Sequence, residues 1–149
     1  MRPDTAWAST EGQLDLSSAG NGLAVLLEAS ERAVEELGVT YPSAQVRALL
    51  IIDRAGSMNL TRLADALRVK APAASKLCDR MEAAGLLTRD RAAASRREIV
   101  LVPTESGRQL AQSVRDSRRS ALRTVLQALS PDGQEALVQG LSELGAQTR

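Results

Sequence analysis

Apolar residues recur at steps of three and four along most of this chain, a spacing that places them on one face of a helix. The first such stretch begins at Asn21, whose side chain can cap a helix, and ends at Gly38. A second, capped by Ser43, runs through about Ala55, and a third, capped by Asn59, covers Leu60–Leu67. The pattern therefore predicts three helices in the first half of the chain.

A fourth helix is predicted over Pro72–Ala84, after the short turn Arg68–Ala71. Proline is tolerated in the first turn of a helix because its missing N–H has no partner there anyway. Neither Lys70 nor Ala71 is a good capping residue, so we expect this helix to start without a side-chain cap. Gly85 is expected to end it. Two helices joined by such a turn are typical of a helix-turn-helix.

Short apolar segments follow and predict a β-hairpin. Leu86–Arg89 and Glu98–Val102 are the strand candidates, and the polar segment Asp90–Arg97 between them is predicted to be a projecting loop. Two helices, a strand, a basic loop and a strand are the order of a winged helix-turn-helix. The predicted fold class is mainly α (α+β), with a small β-hairpin wing and flanking N- and C-terminal dimerisation helices.

Two further helices are predicted after Pro103. Thr104 caps the first, and the second begins at the pair Ser130-Pro131 and ends at Gly145. Together with the first helix of the chain, they carry apolar seams that little else in the chain can cover. A two-fold homodimer would bury them. The residues predicted to form the dimer interface are Leu23, Leu26, Leu27, Val34, Leu122, Val125, Leu126, Leu137, Leu141 and Leu144.

Positive charge gathers in the predicted winged helix-turn-helix. The chain has a net charge of +1, but residues 60–98 hold nine basic and five acidic side chains. A nearly neutral protein can still bind a polyanion at such a segment. Lys76 and Arg80, four residues apart, share one helix face, and arginines in a wing suit a narrow minor groove. The predicted DNA-binding residues are Lys70, Pro72, Ala73, Ser75, Lys76, Arg80, Arg91, Arg96 and Arg97.

These patterns divide the chain into three predicted parts. Residues 1–18 are polar with little periodicity, which predicts a flexible tail that includes Trp7. Residues 19–38 and 104–149 are predicted to form the helical dimerisation region. Residues 39–103 are predicted to be the DNA-binding domain.

The composition excludes several classes of site. Zinc and copper sites need thiolate or imidazole ligands, but the chain has one Cys and no His. No nucleophile–base pair and no glycine-rich phosphate loop are visible. We therefore expect no enzyme activity, no metal and no cofactor. The sequence shows no signal peptide and no long uncharged apolar run, which predicts a cytoplasmic protein without a membrane partner.

The single cysteine has two interpretations. Cys78 follows Leu77 on the inner side of the fourth helix, where a free cysteine behaves as a small hydrophobe. A redox-sensing thiol needs exposure and a neighbouring cation, and Lys76 lies on a different face. The sequence favours a core position and leaves a redox role open.

Four segments together resemble the MarR family of bacterial transcriptional regulators. They are LTRLADAL, VKAPAASKLCDRMEAAGLL, SRREIVLVPTESGRQL and SPDGQEALVQGLSEL. Their order and spacing carry the resemblance over roughly residues 39–110, and more loosely over both flanking helical regions. The resemblance implies a homodimer formed by the first helix and the last two. It also implies a winged helix-turn-helix that binds a palindromic operator, usually as a repressor released by a small-molecule effector.

By position, the resemblance makes Pro72–Ala84 the recognition helix and Arg97 the arginine of the wing. This chain departs from the family pattern at two places. Ser95 stands where the family usually has an aspartate beside the wing arginine, and Lys70 replaces the usual capping serine. The serine predicts a looser or differently aimed wing. The lysine predicts either a backbone or phosphate contact in place of the cap or a weaker start of the recognition helix.

Two other functions stay open from the sequence. The fold could serve as a protein–protein adaptor without DNA, in which case Arg96 and Arg97 would be dispensable. It could also be chiefly a small-molecule-binding protein, with a cleft between the helical region and the DNA-binding lobe. With few aromatic residues and no His, such a cleft would be aliphatic, with Tyr41 as its aromatic member.

Overall fold

The computed structural model describes residues 15–92 and 95–147, and the side chains of residues 92–98 lie outside that description. Within it, six helices accompany one two-stranded antiparallel sheet, so the mainly helical fold class is confirmed. The elements in chain order are α1 (Leu16–Glu36), α2 (Ser43–Ala55), α3 (Leu60–Leu67), α4 (Ala71–Ala83), β1 (Leu87–Ala92), β2 (Ser95–Pro103), α5 (Glu105–Leu126) and α6 (Pro131–Gln147).

The first helix begins earlier than predicted. Asp15 caps α1, because its carboxylate accepts hydrogen bonds from the backbone N–H groups of Ser17 and Ser18 at 3.1 and 3.0 Å. Asn21 lies inside the helix, so its prediction as the cap is wrong. The last residues of the predicted tail thus belong to α1, and the remainder of that prediction, including Trp7, lies outside the described residues.

The predicted boundaries of the other helices agree with the structure only in part. Asn59 and Thr104 cap α3 and α5 as predicted, each accepting a backbone N–H three residues on. Ser43, in contrast, is the first residue of α2, and no side chain caps that helix, whose N-cap is Pro42. α6 also continues past Gly145, its predicted end, to Gln147.

The hairpin is longer than the sequence predicted. β1 extends through Arg91, which pairs with Ile99, and the register shifts before Ala92 pairs with Ser95. The predicted loop Asp90–Arg97 is therefore mostly strand, since backbone pairing does not require apolar side chains. At the other end, Leu101 exchanges two backbone hydrogen bonds with Met58, at 3.2 and 2.8 Å, which ties the hairpin to the segment before α3.

One aliphatic core joins α2, α3, α4 and the hairpin. Its residues come from every one of these elements, and α5 adds Ala111. Because the chain has no Phe, branched aliphatic and sulfur-containing side chains fill this space. The core residues are Ala48, Leu49, Ile52, Met58, Leu63, Cys78, Met81, Leu86, Leu87, Leu101 and Ala111.

The outer helices, α1, α5 and α6, pack differently from the helices of this core. α1 packs along α5, and the hydroxyl of Ser117 donates to the carbonyl of Ala33 at 2.6 Å. Neither α1 nor α6 contains a buried residue within the described chain. The core therefore lies mainly in the winged helix-turn-helix, and α1 and α6 keep part of their apolar faces exposed.

Candidate nucleic-acid interface

The turn between α3 and α4 sets the direction of the second helix. Arg68 ends α3 in the left-handed conformation, with φ 56° and ψ 44°, and Val69 donates a backbone hydrogen bond to the carbonyl of Ala64 at 3.0 Å. A left-handed residue reverses the chain sharply. α4 therefore leaves α3 after only three residues, as in a helix-turn-helix.

The two faces of α4 are chemically distinct. Ala74, Cys78 and Met81 are buried against the core. The predicted DNA-binding residues Pro72, Ala73, Lys76 and Arg80 are exposed, and Ser75 is half-buried. The structure thus brings small side chains near the start of the helix together with two cations further along it. This is the arrangement that a helix in a major groove needs.

The start of α4 has no side-chain cap. Lys70 occupies the N-cap position in extended conformation, and no side-chain hydrogen bond satisfies the first backbone N–H groups of this helix. The prediction of an uncapped start is confirmed. The positive end of the helix dipole favours a phosphate at this point, and the exposed Lys70 adds a cation there.

Arg91 is the predicted wing arginine whose side chain the structure describes. Arg91 is exposed on β1, and its backbone N–H is bonded to the carboxylate of Asp90 at 2.7 Å. Arg96, Arg97 and Ser95 lie in β2, but their side chains are outside the described residues. The predicted roles of these three residues therefore stay predictions.

Arg89 joins the hairpin to α4, a feature that could not be seen from the sequence pattern. Its Nη2 donates to Oδ1 of Asp79 at 2.6 Å, and its Nη1 bonds Glu82. The hydrogen bond to Asp79, with Glu82 close by, raises the pKa of Arg89 above its ordinary value. The sequence places Asp79 and Glu82 on one helix face, because they are three residues apart, but it does not indicate that Arg89 on β1 faces them.

Cys78 is a core residue. Its side chain is fully buried, and burial raises the pKa of its thiol, against the opposing effect of Arg89. A thiol that is buried and protonated is a poor nucleophile. This supports the core interpretation over a redox role.

A groove runs beside α4 and separates it from α1. It has a volume of about 1970 Å³ and is lined by residues from α1, α2, α3 and α4, with Arg118 from α5. Tyr41 lines it as predicted, but so do six cationic side chains against two glutamates. The groove is therefore not the purely aliphatic cleft that the composition predicted.

The predicted dimer-interface residues are all at least partly accessible. Leu23, Leu27 and Leu144 are 55%, 54% and 62% exposed. The other seven are half-buried, and they are Leu26, Val34, Leu122, Val125, Leu126, Leu137 and Leu141. Side chains of this size are rarely left uncovered in a group.

Among the described residues, no cluster of three or more His, Cys, Asp or Glu side chains has the arrangement of a metal site. In the same part of the chain, no helix is long and apolar enough to cross a membrane.

Comparison with known proteins gives a consistent picture. Residues 42–99 match the model of the MarR family. The HTH-type transcriptional regulator YfiV of Bacillus subtilis is 25% identical over 100 residues, which are 67% of this chain and 62% of that protein. The match thus covers less than two thirds of this relative.

Solved structures share the fold over most of the chain. The crystal structure of RV1404 from Mycobacterium tuberculosis is 25% identical, with a TM-score of 0.78, and the match covers 93% of this chain and 96% of that one. A mutant MarR from E. coli complexed with operator DNA is 18% identical, with a TM-score of 0.59, over 84% of this chain and 91% of that one. At that identity the second likeness concerns the fold alone.

Proposed function

We propose that the chain, whose residues 42–99 match the model of the MarR family, is a dimeric repressor that binds a palindromic DNA operator in the cytoplasm and is released by a small ligand. Members of this family are transcriptional regulators, which agrees with the expectation that the chain is not an enzyme. The observation that carries the proposal is the exposed face of α4, where Ala73, Lys76 and Arg80 stand clear of the core.

The roles of the individual residues follow from their chemistry. Small side chains at the start of α4 let the helix approach base edges closely, and Lys76 can bond a guanine edge. Arg80 and Lys70 suit phosphates, with the uncapped helix start as a further phosphate site. Arg91, Arg96 and Arg97 of the wing would lie along the adjacent minor groove.

The dimer gives the operator its symmetry. A two-fold axis through the exposed seams of α1 and α6 would present two copies of α4 to one face of a duplex. Their separation is expected to be roughly 34 Å, one helical turn of DNA. The operator is then a palindrome with half-sites at that spacing.

The ligand proposal rests on the groove beside α4. Because Lys76 and Arg80 line both the groove and the exposed face of α4, a ligand there would compete with DNA for the same cations. The excess of cationic over acidic lining residues favours an anionic ligand.

The test is binding of the purified protein to DNA from upstream of its own gene, followed by fluorescence anisotropy over a range of salt. We expect affinity to fall steeply with salt, and Arg80→Ala to reduce the slope of log Kd against log salt by about 0.9 for one lost phosphate contact. Arg32→Ala is the matched control, since Arg32 lies on α1 and pairs with Glu28 at 3.6 Å. Equal affinity at low and high salt would contradict the proposal.

A further inference from the structure

Three charged side chains, Asp79, Glu82 and Arg89, lie between α4 and the hairpin. Asp79 and Glu82 share one face of α4, as residues three apart do. On β1, residues two apart point to the same side, so Arg89 follows Leu87, which is 1% exposed and packs into the core. That alternation directs Arg89 at α4 rather than at solvent.

The guanidinium of Arg89 bridges both carboxylates. Its two terminal nitrogens each bond a different acid, one of them at 2.6 Å to Asp79. The arginine side chain is 30% exposed, against 60% for Asp79 and 40% for Glu82. A planar fork that is bonded at both ends fixes direction as well as distance.

Exposed ion pairs contribute little to folding stability. The main effect of this bridge is therefore on the relative position of α4 and β1, the two elements that it connects. α4 carries Lys76 and Arg80, and β1 carries the exposed Arg91 two residues beyond Arg89. The bridge is therefore a link between the two elements that would meet DNA in different grooves. The length of the Arg89 bridge therefore constrains the angle between α4 and β1.

The same bridge changes the charge that DNA would encounter. Asp79 and Glu82 lie on the helix that carries Lys76 and Arg80, and unpaired carboxylates there would repel phosphates. Arg89 neutralises much of that charge locally. In return, its own charge is held by the two acids and is not available for a phosphate.

We propose that Arg89, Asp79 and Glu82 form a clamp that positions the wing relative to the recognition helix for DNA binding. Arg89 acts as a positioning residue and does not contact DNA itself. The inference rests on the proposed DNA-binding function, and it adds a role for two acidic residues on a DNA-binding helix.

The decisive variant is Asp79→Ala combined with Glu82→Ala. Alanine is a good helix former, so α4 keeps its propensity. Removal of two negative charges near DNA would by simple electrostatics tighten binding. The clamp requires the opposite, and we expect operator affinity to fall on the order of tenfold, the size of losing one well-placed arginine contact.

The wing arginines provide a second measurement. If the clamp acts by positioning the wing, Arg96→Ala with Arg97→Ala weakens binding in the wild-type chain but adds little in the variant without the clamp, because the two changes remove the same contacts. Additive losses would mean that Arg89 and the wing act separately, which overturns the proposal. Asp65→Ala, an exposed acid on α3, is the matched control and should not weaken binding.

A third measurement needs no DNA. Hydrogen exchange of the backbone amides in β1 and β2 should become faster without the clamp, while exchange in α5 stays unchanged. If the wild-type chain binds no DNA in a salt-dependent way, the proposed function fails, and the exchange rates still show whether the clamp orders the wing. Unchanged exchange, or tighter DNA binding by the double variant, overturns the clamp.

Discussion

Gly107 lies near the start of α5, packed against the backbone of Leu86 in the segment between α4 and β1. A Cβ atom on it would lie 2.0 Å from the carbonyl oxygen of Leu86. Thr104 holds this joint from the other side, because its hydroxyl donates to the carbonyl of Gly85 at 2.6 Å and accepts from the N–H of Gly107 at 3.0 Å. The joint is made of backbone atoms, so it cannot yield as a flexible side chain would.

We therefore expect Gly107→Ala to destabilise the fold by roughly 2–3 kcal/mol, as overpacking in a tight core does. Gly20→Ala is the control, because Gly20 has nothing within 4 Å of the added carbon, and alanine in a helix should stabilise by about 1 kcal/mol at most. Urea denaturation measures both changes through the midpoint. Equal midpoints for wild type and Gly107→Ala would show that the joint can open at little cost.

At the residue scale, the clamp illustrates what the sequence could not supply. Buried positions on α4 were predictable, since Ala74, Cys78 and Met81 follow a helical period and are all buried. The partner of Arg89 was not predictable in the same way. A period assigns a face to each residue, but a contact between α4 and β1 depends on how the two elements are oriented.

Among the elements, α2 and α5 are joined by one well-formed ion pair. Arg115 and Asp53 approach to 2.7 Å, and the side chain of Asp53 is only 12% exposed, against 38% for Arg115. The pair connects the long outer helix to the lobe that carries α4. It differs from the pair of Arg119 with Asp116 within α5, in which both side chains are more than half exposed.

Loss of Arg115 is expected to cost more than loss of an exposed partner, because it leaves a mostly buried carboxylate without its cation. We predict a destabilisation of roughly 2 kcal/mol for Arg115→Gln, between the values for surface and buried pairs. Arg119→Gln should change stability by less than about 0.5 kcal/mol.

Thermal unfolding of the two variants and of Arg115→Gln with Asp53→Asn would measure this. The double variant should recover part of the loss, since no charge is then left unpaired. A double variant no more stable than Arg115→Gln alone would show that the uncompensated carboxylate is not the cause.

The elements themselves were predictable to different degrees. The helices follow from apolar spacing, and their starts follow where a polar cap lies next to the pattern, as at Asn59 and Thr104. The strands were predicted too short because Arg91 and its neighbours are polar, while the pairing with Ile99 depends on the partner strand. The start of α1 was missed because Asp15 caps a first turn that has no apolar period of its own.

For the whole molecule, the main open surface is formed by the outer helices. Neither α1 nor α6 has a buried residue within the described chain, and they carry Leu23, Leu27 and Leu144 at more than half exposure. Apolar groups of this size on two long helices are a typical interface between identical subunits.

We predict that Leu27→Glu combined with Leu144→Glu converts the proposed dimer into a monomer, because each charge would have to be buried against an apolar surface. Analytical ultracentrifugation measures the change directly. Ile99→Glu is the control, since Ile99 is 60% exposed on the wing, which is not part of the proposed interface. A wild-type chain that sediments as a monomer would contradict the proposed assembly.

Arg68 has a left-handed backbone conformation. Selection for stability and selection for the proposed DNA binding should therefore favour different residues at this position. A side chain in that conformation is strained by roughly 1–2 kcal/mol, and glycine or asparagine would relieve the strain. Either replacement would also remove a cation from the turn that leads into the recognition helix. Random libraries sorted for heat resistance should therefore accumulate Gly or Asn at position 68. Libraries sorted for promoter occupancy should keep Arg, so that comparing the two pools separates residues chosen for folding from residues chosen for recognition.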